Sequence, residues 1–248
     1  MEPARGTAGP DVRLTVSARW SDVPIGAEKA TLTVTGPQGA TATVTVPLLN
    51  PAAPRPETLD GFLEANGSVS IEAEHTSRRV APSGREWKVL PDHGRTLSGL
   101  TPWPVTSTIA AVDPSRPDAM RLEYRVHLFH AGGVSVQAFL SPTQKFQPGP
   151  GFRYAISFDD EPPQVVNVHA DASPAAWERA VADGVTVLSS QHALGAPGAH
   201  VLKYWALDPG LVLQKLVIDT GGLKPSYLGP PESAFRLSAP GPPPARPR

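Results

Sequence analysis

The chain has 248 residues, which is enough for one large all-β domain or for one sandwich with a smaller flanking unit. Lysine and arginine number 22 against 23 aspartates and glutamates, so the formal net charge of -1 provides no positive field for nucleic acid or an anionic membrane. The absence of cysteine excludes disulfides, thiolate metal sites and cysteine nucleophiles, and no apolar run approaches the roughly 20 residues that span a bilayer.

The sequence of the first fifth of the chain predicts a disordered N-terminal segment followed by a small β unit. Residues 1–11 are small, polar and contain proline, so we expect them to be disordered. Residues 12–49 form the predicted β unit: strict alternation from Val12 to Trp20 predicts a half-buried strand, and apolar alternation on both sides of the turn GPQG predicts a hairpin. A proline-rich linker follows at residues 50–58.

The region from residue 59 to residue 233 carries most of the predicted core. Its strand-like segments, with alternating or nearly continuous apolar residues, are 69–73, 122–128, 134–140, 152–158 and 211–219. The glycine pair at 132–133 predicts that the second and third of these form a hairpin.

One helix is predicted, with Ser173 as its N-cap, Pro174 at its first position and Gly184 at its end. Residues 234–248 are predicted to be a disordered proline-rich tail. The fold class is therefore all-β: an antiparallel sandwich of the jelly-roll kind with one short helix, preceded by a small hairpin unit.

No combination of residues predicts a catalytic site. Asp159, Asp160 and Glu161 lie between a strand and two prolines, where aspartates cap backbone amides in a tight turn, and they lack the arrangement of two facing glycosidase acids. Ser190 is close to His192 in sequence but lacks the strand-to-helix turn that exposes a nucleophilic serine. We predict no catalytic residue.

Glu72 and Glu74 are the candidate metal ligands. They lie two residues apart on a predicted strand, so both carboxylates project from one face and repel each other unless a cation lies between them. The segment IEAE resembles the opening strand of carbohydrate-binding modules of families 6 and 35, which implies a structural calcium ion. Those modules add an aspartate or asparagine on the last strand, where this chain has Gln214. A solvated acidic face or pairing to arginine is the alternative, and no other cofactor is expected.

Three tryptophans are candidates for contact with a sugar. Trp87 and Trp103 lie in segment 85–105 beside hydrogen-bonding side chains, and an exposed aromatic ring can cover the apolar face of a pyranose. Trp205 and the adjacent Tyr204 point to opposite faces of one strand, so one should be core and the other nearer solvent. Alternatively, Trp87 and Trp103 fill the end of the sandwich or dock on a neighbouring domain.

Five segments in order carry a resemblance to one enzyme family: GFLEANGSVSIEAEH, LPDHGRTLSG, ISFDDEPPQVVN, DPGLVLQKLVIDTGG and SYLGPPES. Over Gly61 to Ser233 the sequence resembles the C-terminal non-catalytic domain of glycoside hydrolase family 115, the xylan α-glucuronidases. The resemblance implies an exported enzyme, extracellular or periplasmic, that removes 4-O-methylglucuronic acid from xylan with catalytic carboxylates on an upstream barrel.

A barrel of that kind needs about 250 residues of alternating strands and helices, so we expect this chain to be a piece of such an enzyme, a split-gene product or an isolated domain without catalytic residues. The resemblance then implies an accessory domain that binds xylan-type polysaccharide or supports the parent catalytic domain. The alternatives are a purely structural docking or homo-oligomerisation module, and an active hydrolase fragment.

Overall fold

The computed structural model describes residues 15–26, 29–48, 50–106, 116–149 and 151–237. The chain divides into two compact units, Met1–Thr58 and Leu59–Arg248. The predicted disordered lead, residues 1–11, lies outside the described residues. Within the described residues, no helix has the length and apolar character needed to cross a membrane.

The first unit contains the predicted hairpin. Strands β1 (Lys29–Thr35) and β2 (Thr41–Pro47) pair antiparallel around a short 3-10 turn at Pro37–Gly39, and Leu32 faces Val44 across the pair. The hairpin prediction is confirmed because the apolar positions of both strands fall in register.

The strand predicted from Val12 to Trp20 is not formed in its described part. Thr15 makes a single β-bridge, Trp20 begins a 3-10 helix (Trp20–Asp22), and residues 12–14 lie outside the described residues. Val16 and Trp20 are 47% and 56% exposed. None of the described alternating side chains is fully buried, and the pattern alone does not stabilise a strand.

The second unit is a sandwich of two sheets with one helix. Its strands are β3 (Gly61–Leu63), β4 (Ser68–Glu72), β5 (Arg78–Val80), β6 (Glu86–Leu90), β7 (Gly99–Trp103), β8 (Arg121–Leu128), β9 (Gly132–Leu140), β10 (Arg153–Phe158), β11 (Gln164–Asn167), β12 (Thr186–Leu194), β13 (Gly198–Ala206), β14 (Leu213–Asp219) and β15 (Phe235–Arg236).

In the described residues, one sheet has seven strands in the order β11-β10-β13-β8-β3-β15, with β5 also on β8, and the other has six in the order β12-β9-β14-β7-β6, with β4 also on β14. The β3–β8 pair is parallel and the other pairs are antiparallel. Strand β14 is central, as its continuous apolar sequence predicts.

The predicted hairpin between 122–128 and 134–140 is wrong. Strand β8 belongs to the seven-stranded sheet and β9 to the six-stranded sheet, so the chain crosses from one layer to the other at Gly132. Both strands present an apolar face, and placing them in opposite layers buries those two faces against the same core.

The core lies between the sheets and confirms the predicted inward faces. Its fully buried members from four predicted strands include Val69, Ile71, Leu122, Tyr124, Val126, Leu128, Val136, Ala138, Leu140, Tyr154, Ile156 and Phe158. Tyr154 and Tyr204 stack at 5.2 Å between ring centroids. The Tyr124 hydroxyl donates to the Ala73 carbonyl at 2.8 Å, so its buried oxygen is paired.

Helix α1 (Pro174–Asp183) has the predicted ends. The Ser173 hydroxyl accepts a hydrogen bond from the Ala176 backbone N–H at 3.2 Å, and Gly184 takes the left-handed conformation with φ 65°. No residue of the helix is fully buried, so it lies on the surface of the sandwich.

The prediction of disorder from residue 234 onward is wrong for its first residues. Phe235 and Arg236 form β15, which pairs with β3, and the Phe235 ring lies 4.7 Å from that of Phe62. Ring contact and pairing at the sheet edge order these residues. Residues 238–248 lie outside the described residues.

Candidate functional site

An open groove lies on the outer face of the six-stranded sheet, with a cavity volume of about 560 Å³. We call it the outer groove. Its apolar floor comes from Phe139 on β9, Val185 just before β12, Val187 on β12, and Leu223. Phe139 projects outward because it alternates with the core residues Ala138 and Leu140.

One side of the outer groove is the segment 220–230, which we call the strap. Asp219 at the end of β14 accepts hydrogen bonds from the backbone N–H groups of Gly221 at 2.8 Å and Leu223 at 3.1 Å. Gly222 is required here, since a Cβ at this position would lie 2.0 Å from the Asn66 carbonyl oxygen. The strap is therefore held against the sheet at its N-terminal end.

Tyr227 is the aromatic residue of the strap, and its side chain is among the most exposed large apolar groups, at 67%. The Arg95 guanidinium carbon lies 4.1 Å from the centre of its ring, and Arg95 also donates to the Tyr227 carbonyl. This cation–π contact fixes the ring at the rim of the outer groove.

The rim of the outer groove carries both acidic and basic groups. Its polar residues are Arg95, Gln137, Asp183, Asp219, Lys224 and Ser226. The rim thus has charges of both signs and hydrogen-bonding groups above an apolar floor. This combination suits a polyhydroxylated ligand with aliphatic faces better than a strongly charged ligand.

Two of the three predicted sugar-binding tryptophans are buried. Trp87 is 6% exposed and its indole N–H donates to the Val80 carbonyl at 3.0 Å. Trp205 is 3% exposed and donates to the Ser157 hydroxyl at 2.9 Å. Neither ring has a face open to a sugar, so we correct both assignments.

The burial of Trp205 also corrects the expectation that one of Tyr204 and Trp205 is near solvent. The two side chains do point to opposite faces of β13, but both are buried. Tyr204 enters the core between the sheets, whereas Trp205 packs on the outer face with Ala155 and Leu207. Because the outer face of the sheet is also covered here, side chains on both sides of the strand are buried.

Trp103 keeps the exposure that stacking requires. It ends β7, is 38% exposed, and has the Lys88 ammonium 4.0 Å from the centre of its ring. It remains a proposed sugar contact.

The carboxylate of Glu72 is already neutralised inside the protein. Glu72 Oε1 lies 3.0 Å from the Lys215 Nζ, and the Thr96 hydroxyl donates to both carboxylate oxygens at 2.7 and 2.9 Å. The Lys215 ammonium also donates to the Pro230 carbonyl at 3.2 Å. Both charged side chains are more than nine-tenths buried, so this pair needs those extra hydrogen bonds.

The remaining predicted ligands do not converge on Glu72. Glu74 lies in the turn after β4, with His75 Nε2 3.8 Å from its carboxylate. Gln214 donates to the Ser141 hydroxyl at 2.9 Å and accepts from the Arg95 backbone N–H at 3.0 Å.

These residues do not fit a calcium ion. An ammonium group already holds the cation position beside Glu72. Over the described ranges, no group of three or more His, Cys, Asp and Glu side chains could hold a metal.

The carboxylates of the acidic turn after β10 bind groups on the neighbouring strand β13. Asp159 accepts the Val201 backbone N–H at 2.8 Å and lies 2.7 Å from His200 Nδ1, and Asp160 lies 3.5 Å from Lys203 Nζ. The amide that Asp159 binds belongs to β13 and not to the turn itself, so Asp159 connects the turn to the neighbouring strand.

Ser190 and His192 form a buried pair between the sheets. Ser190 Oγ lies 2.8 Å from His192 Nε2, and Glu161 is 4.0 Å from His192 Nδ1. Ser190 and His192 are each 6% exposed, so a substrate cannot reach the hydroxyl. Burial lowers the pKa of His192 to about 4, which keeps the ring neutral at neutral pH.

The sequence alone does not single out the residues of the outer groove. Tyr227 lies in the segment SYLGPPES, whose glycine and prolines indicate a loop. An aromatic residue in such a loop is the one feature of the sequence that could indicate a binding residue here. Arg95 and Phe139 are brought to it only by the fold, because they lie on different elements far apart in sequence.

Fold and groove together define a class of protein: an all-β, antiparallel, jelly-roll-like sandwich with an open ligand-sized groove. The family model for the glycosyl hydrolase family 115 C-terminal domain matches residues 61–232. This match covers more than half of the chain, and the chain belongs to that family. The resemblance found in the five segments is thereby confirmed.

Several solved structures are similar to this chain. A family GH115 4-O-methyl-α-glucuronidase with specificity for decorated arabinogalactans has a TM-score of 0.47 and 16% identity, covering 68% of this chain and 19% of its own. A family 35 carbohydrate-binding module from Clostridium thermocellum has a TM-score of 0.40 and 13% identity, over 60% of this chain and 97% of its own.

The C-terminal CBM6 of LamC from Zobellia galactanivorans has a TM-score of 0.40 and 12% identity, over 61% of this chain and 98% of its own. The present chain thus spans 19% of the length of the glucuronidase. Among curated proteins, none matches this chain.

Proposed function

We propose that the sandwich is a non-catalytic accessory domain of an α-glucuronidase of family 115, and that it binds a xylan-type polysaccharide in the outer groove. Under this proposal the parent enzyme is extracellular or periplasmic, and the catalytic carboxylates lie on its barrel domain. The groove itself is the observation that carries the proposal: an apolar floor, a rim of donors and acceptors, and the exposed Tyr227 ring.

The chemistry of the outer groove favours a glycan over other ligands. A pyranose presents an apolar face to an aromatic ring and hydroxyl groups at its edge. Tyr227 offers the ring, while Gln137 and Asp183 offer an amide and a carboxylate along the same cavity. An extended polysaccharide suits an open groove because neighbouring sugars continue along the surface of the sheet.

Retention on insoluble xylan tests the proposal. We expect the wild-type chain to bind and Tyr227→Ala to lose roughly tenfold in affinity, since aromatic contacts of this type contribute about 1 kcal/mol or more. Tyr227→Phe, which keeps the ring, should bind nearly as well as wild type. Trp103→Ala tests the exposed tryptophan at the end of β7 in the same assay. Absence of retention, or retention that Tyr227→Ala does not weaken, would overturn binding in the outer groove, and a loss in Trp103→Ala alone would place the glycan at the end of β7 instead.

Docking on the parent catalytic domain or on a second copy is the second candidate function. The hairpin of the first unit favours it: Val34 and Val44 are 39% and 50% exposed, and the opposite face of both strands is a row of threonines. An isolated two-stranded hairpin is marginally stable in water, so an apolar face of this kind gains from a partner. Sedimentation of the purified chain would show self-association directly.

A further inference from the structure

A second cavity of about 330 Å³ lies at one end of the sandwich, beside helix α1. We call it the helix pocket. Its walls are the segment 143–145 after β9, the segment 168–173 after β11, the first turns of α1, and Thr186 at the start of β12. The outer groove and the helix pocket share no lining residue.

Trp177 forms the aromatic wall of the helix pocket. Its side chain is 38% exposed, and Ala176 and Ala180 lie beside it on the same helix. The small alanine side chains leave room next to the indole ring. An aromatic ring that is held on a helix and remains open to solvent is a suitable platform for the apolar face of a sugar.

Another wall of the helix pocket is held in place by His169. Its Nδ1 accepts the Phe152 backbone N–H at 3.0 Å, so Nε2 carries the proton and donates it to the Thr143 carbonyl at 2.8 Å. The Thr143 hydroxyl in turn donates to the Ser141 carbonyl at 3.1 Å. These bonds tie three chain segments together, and a wall fixed before binding lowers the entropy cost of holding a ligand.

Three polar side chains of the helix pocket remain for a ligand. Gln144 and Thr186 make no side-chain hydrogen bond to another residue in the described part of the chain. Asp171 accepts the Ser173 backbone N–H through one oxygen at 3.0 Å, which leaves the second oxygen near Arg179 at 4.0 Å. Hydrogen bonding from Ser173 lowers the pKa of Asp171, so the group is a charged acceptor at neutral pH.

The charges of the helix pocket disfavour an anionic ligand. The ammonium of Lys145 donates to the Gly149 carbonyl at 2.7 Å, while the Asp171 carboxylate faces the cavity. The N-terminus of α1 is also satisfied by its cap, because the Ser173 hydroxyl accepts the Ala176 N–H. Hydroxyl groups of a neutral sugar can pair with the carboxylate, the amide and the threonine hydroxyl.

We propose that the helix pocket is a second carbohydrate site, which takes one or two neutral sugar residues at the end of a glycan chain with a pyranose stacked on Trp177. The site is smaller than the outer groove, which favours a chain end over an internal segment. The choice of a carbohydrate as the ligand rests on the proposed function. The helix pocket itself does not, since the two sites are built from different residues.

Titration of the full chain with xylotriose, followed by calorimetry and by amide chemical shifts, tests this inference. We expect two binding events, with shift changes at segment 143–145 and at Thr186 for one of them. Trp177→Ala should remove that event or weaken it by about tenfold, and Thr186→Val, which keeps the shape of the side chain, should weaken it less. Val181→Ala is the matched control, because Val181 is 53% exposed one turn further along the same helix and does not line the pocket.

The outcomes separate this inference from the proposed function. Binding that Tyr227→Ala abolishes and Trp177→Ala leaves unchanged would overturn the helix pocket alone. Shifts at the helix pocket that persist in Tyr227→Ala and disappear in Trp177→Ala would support it even if the outer groove binds nothing. A wild-type chain that shows no shift at either site would overturn both. Circular dichroism of each variant establishes that it is folded.

Discussion

His192 shows how burial sets the chemistry of a single side chain in this sandwich. It faces the core from β12, where its ring lies 5.4 Å from that of Phe158 and its Nε2 contacts Ser190 Oγ. The Glu161 carboxylate is 4.0 Å away and partly exposed, so it compensates little for lost hydration. Desolvation lowers the pKa of the imidazole from its usual 6.5 to about 4.

The lowered pKa of His192 predicts a loss of stability in acid. Between pH 6.5 and about 4 the unfolded chain binds a proton at this residue and the folded chain does not, so the free energy of unfolding falls as the pH falls. The full shift corresponds to roughly 3 kcal/mol. Above pH 6.5 the residue contributes no pH dependence. Urea denaturation at several pH values measures this, and His192→Gln should show a smaller loss over the same window. Equal losses in the variant and the wild type would contradict the assignment.

At the scale of elements, β14 and the strap depend on one buried ammonium group. Lys215 on β14 connects Glu72 on β4 to the Pro230 carbonyl, so a lysine joins the sheet to the segment that carries Tyr227. Thr96, next to Arg95, completes the carboxylate's hydrogen bonds. The shape of the outer groove therefore depends on a pair of charges beneath it.

Replacing Lys215 should lower the free energy of unfolding by several kcal/mol. Lys215→Met leaves Glu72 buried without its cation, and we expect a loss of about 3–5 kcal/mol in the free energy of unfolding. Adding Glu72→Leu should restore part of the loss, because the apolar pair no longer contains a buried charge.

EDTA should leave the melting temperature of the wild-type chain unchanged, because the Lys215 ammonium already neutralises Glu72. A clear rise in melting temperature on adding Ca²⁺ would show that the folded chain binds this metal.

At the scale of the whole molecule, the chain has a large sandwich and a small hairpin unit that meet in sequence after Thr58. The sandwich has a continuous core that draws on both of its sheets. The hairpin is a two-stranded sheet with apolar side chains partly open to solvent. A two-layer core of this kind is sufficient for independent stability, whereas a single hairpin is not.

We expect a chain that begins at Leu59 to fold by itself. Its thermal midpoint should match that of the full chain within about 2 °C, since a change of 1 kcal/mol moves the midpoint of a domain of this size by about 2–4 °C. Its affinity for xylan should also match, because the outer groove lies wholly in the second unit. Scanning calorimetry of the two chains is the measurement. Loss of the cooperative transition would mean that the hairpin unit is an integral part of the sandwich.

The sequence alone determined the local features of this protein. Alternation in segments such as 122–128 placed the correct side chains in the core, because period-two geometry is a property of each strand by itself. Ser173 and Gly184 marked the helix ends for the same reason, since their capping bonds are made within a few residues. The ordered segments from Gly61 to Ser233 were sufficient to indicate the family.

Only the tertiary structure decided which surfaces are covered. Alternation does not show which layer a strand joins, so it predicts a hairpin of β8 and β9 that the fold does not contain. It also does not show whether an outer face is packed, so it leaves the buried Trp205 as a candidate sugar contact. The same holds for Lys215 beside Glu72 and for Arg95 beside Tyr227. Those contacts join residues that are far apart in sequence, and their energies depend on burial that exists only once both sheets have come together.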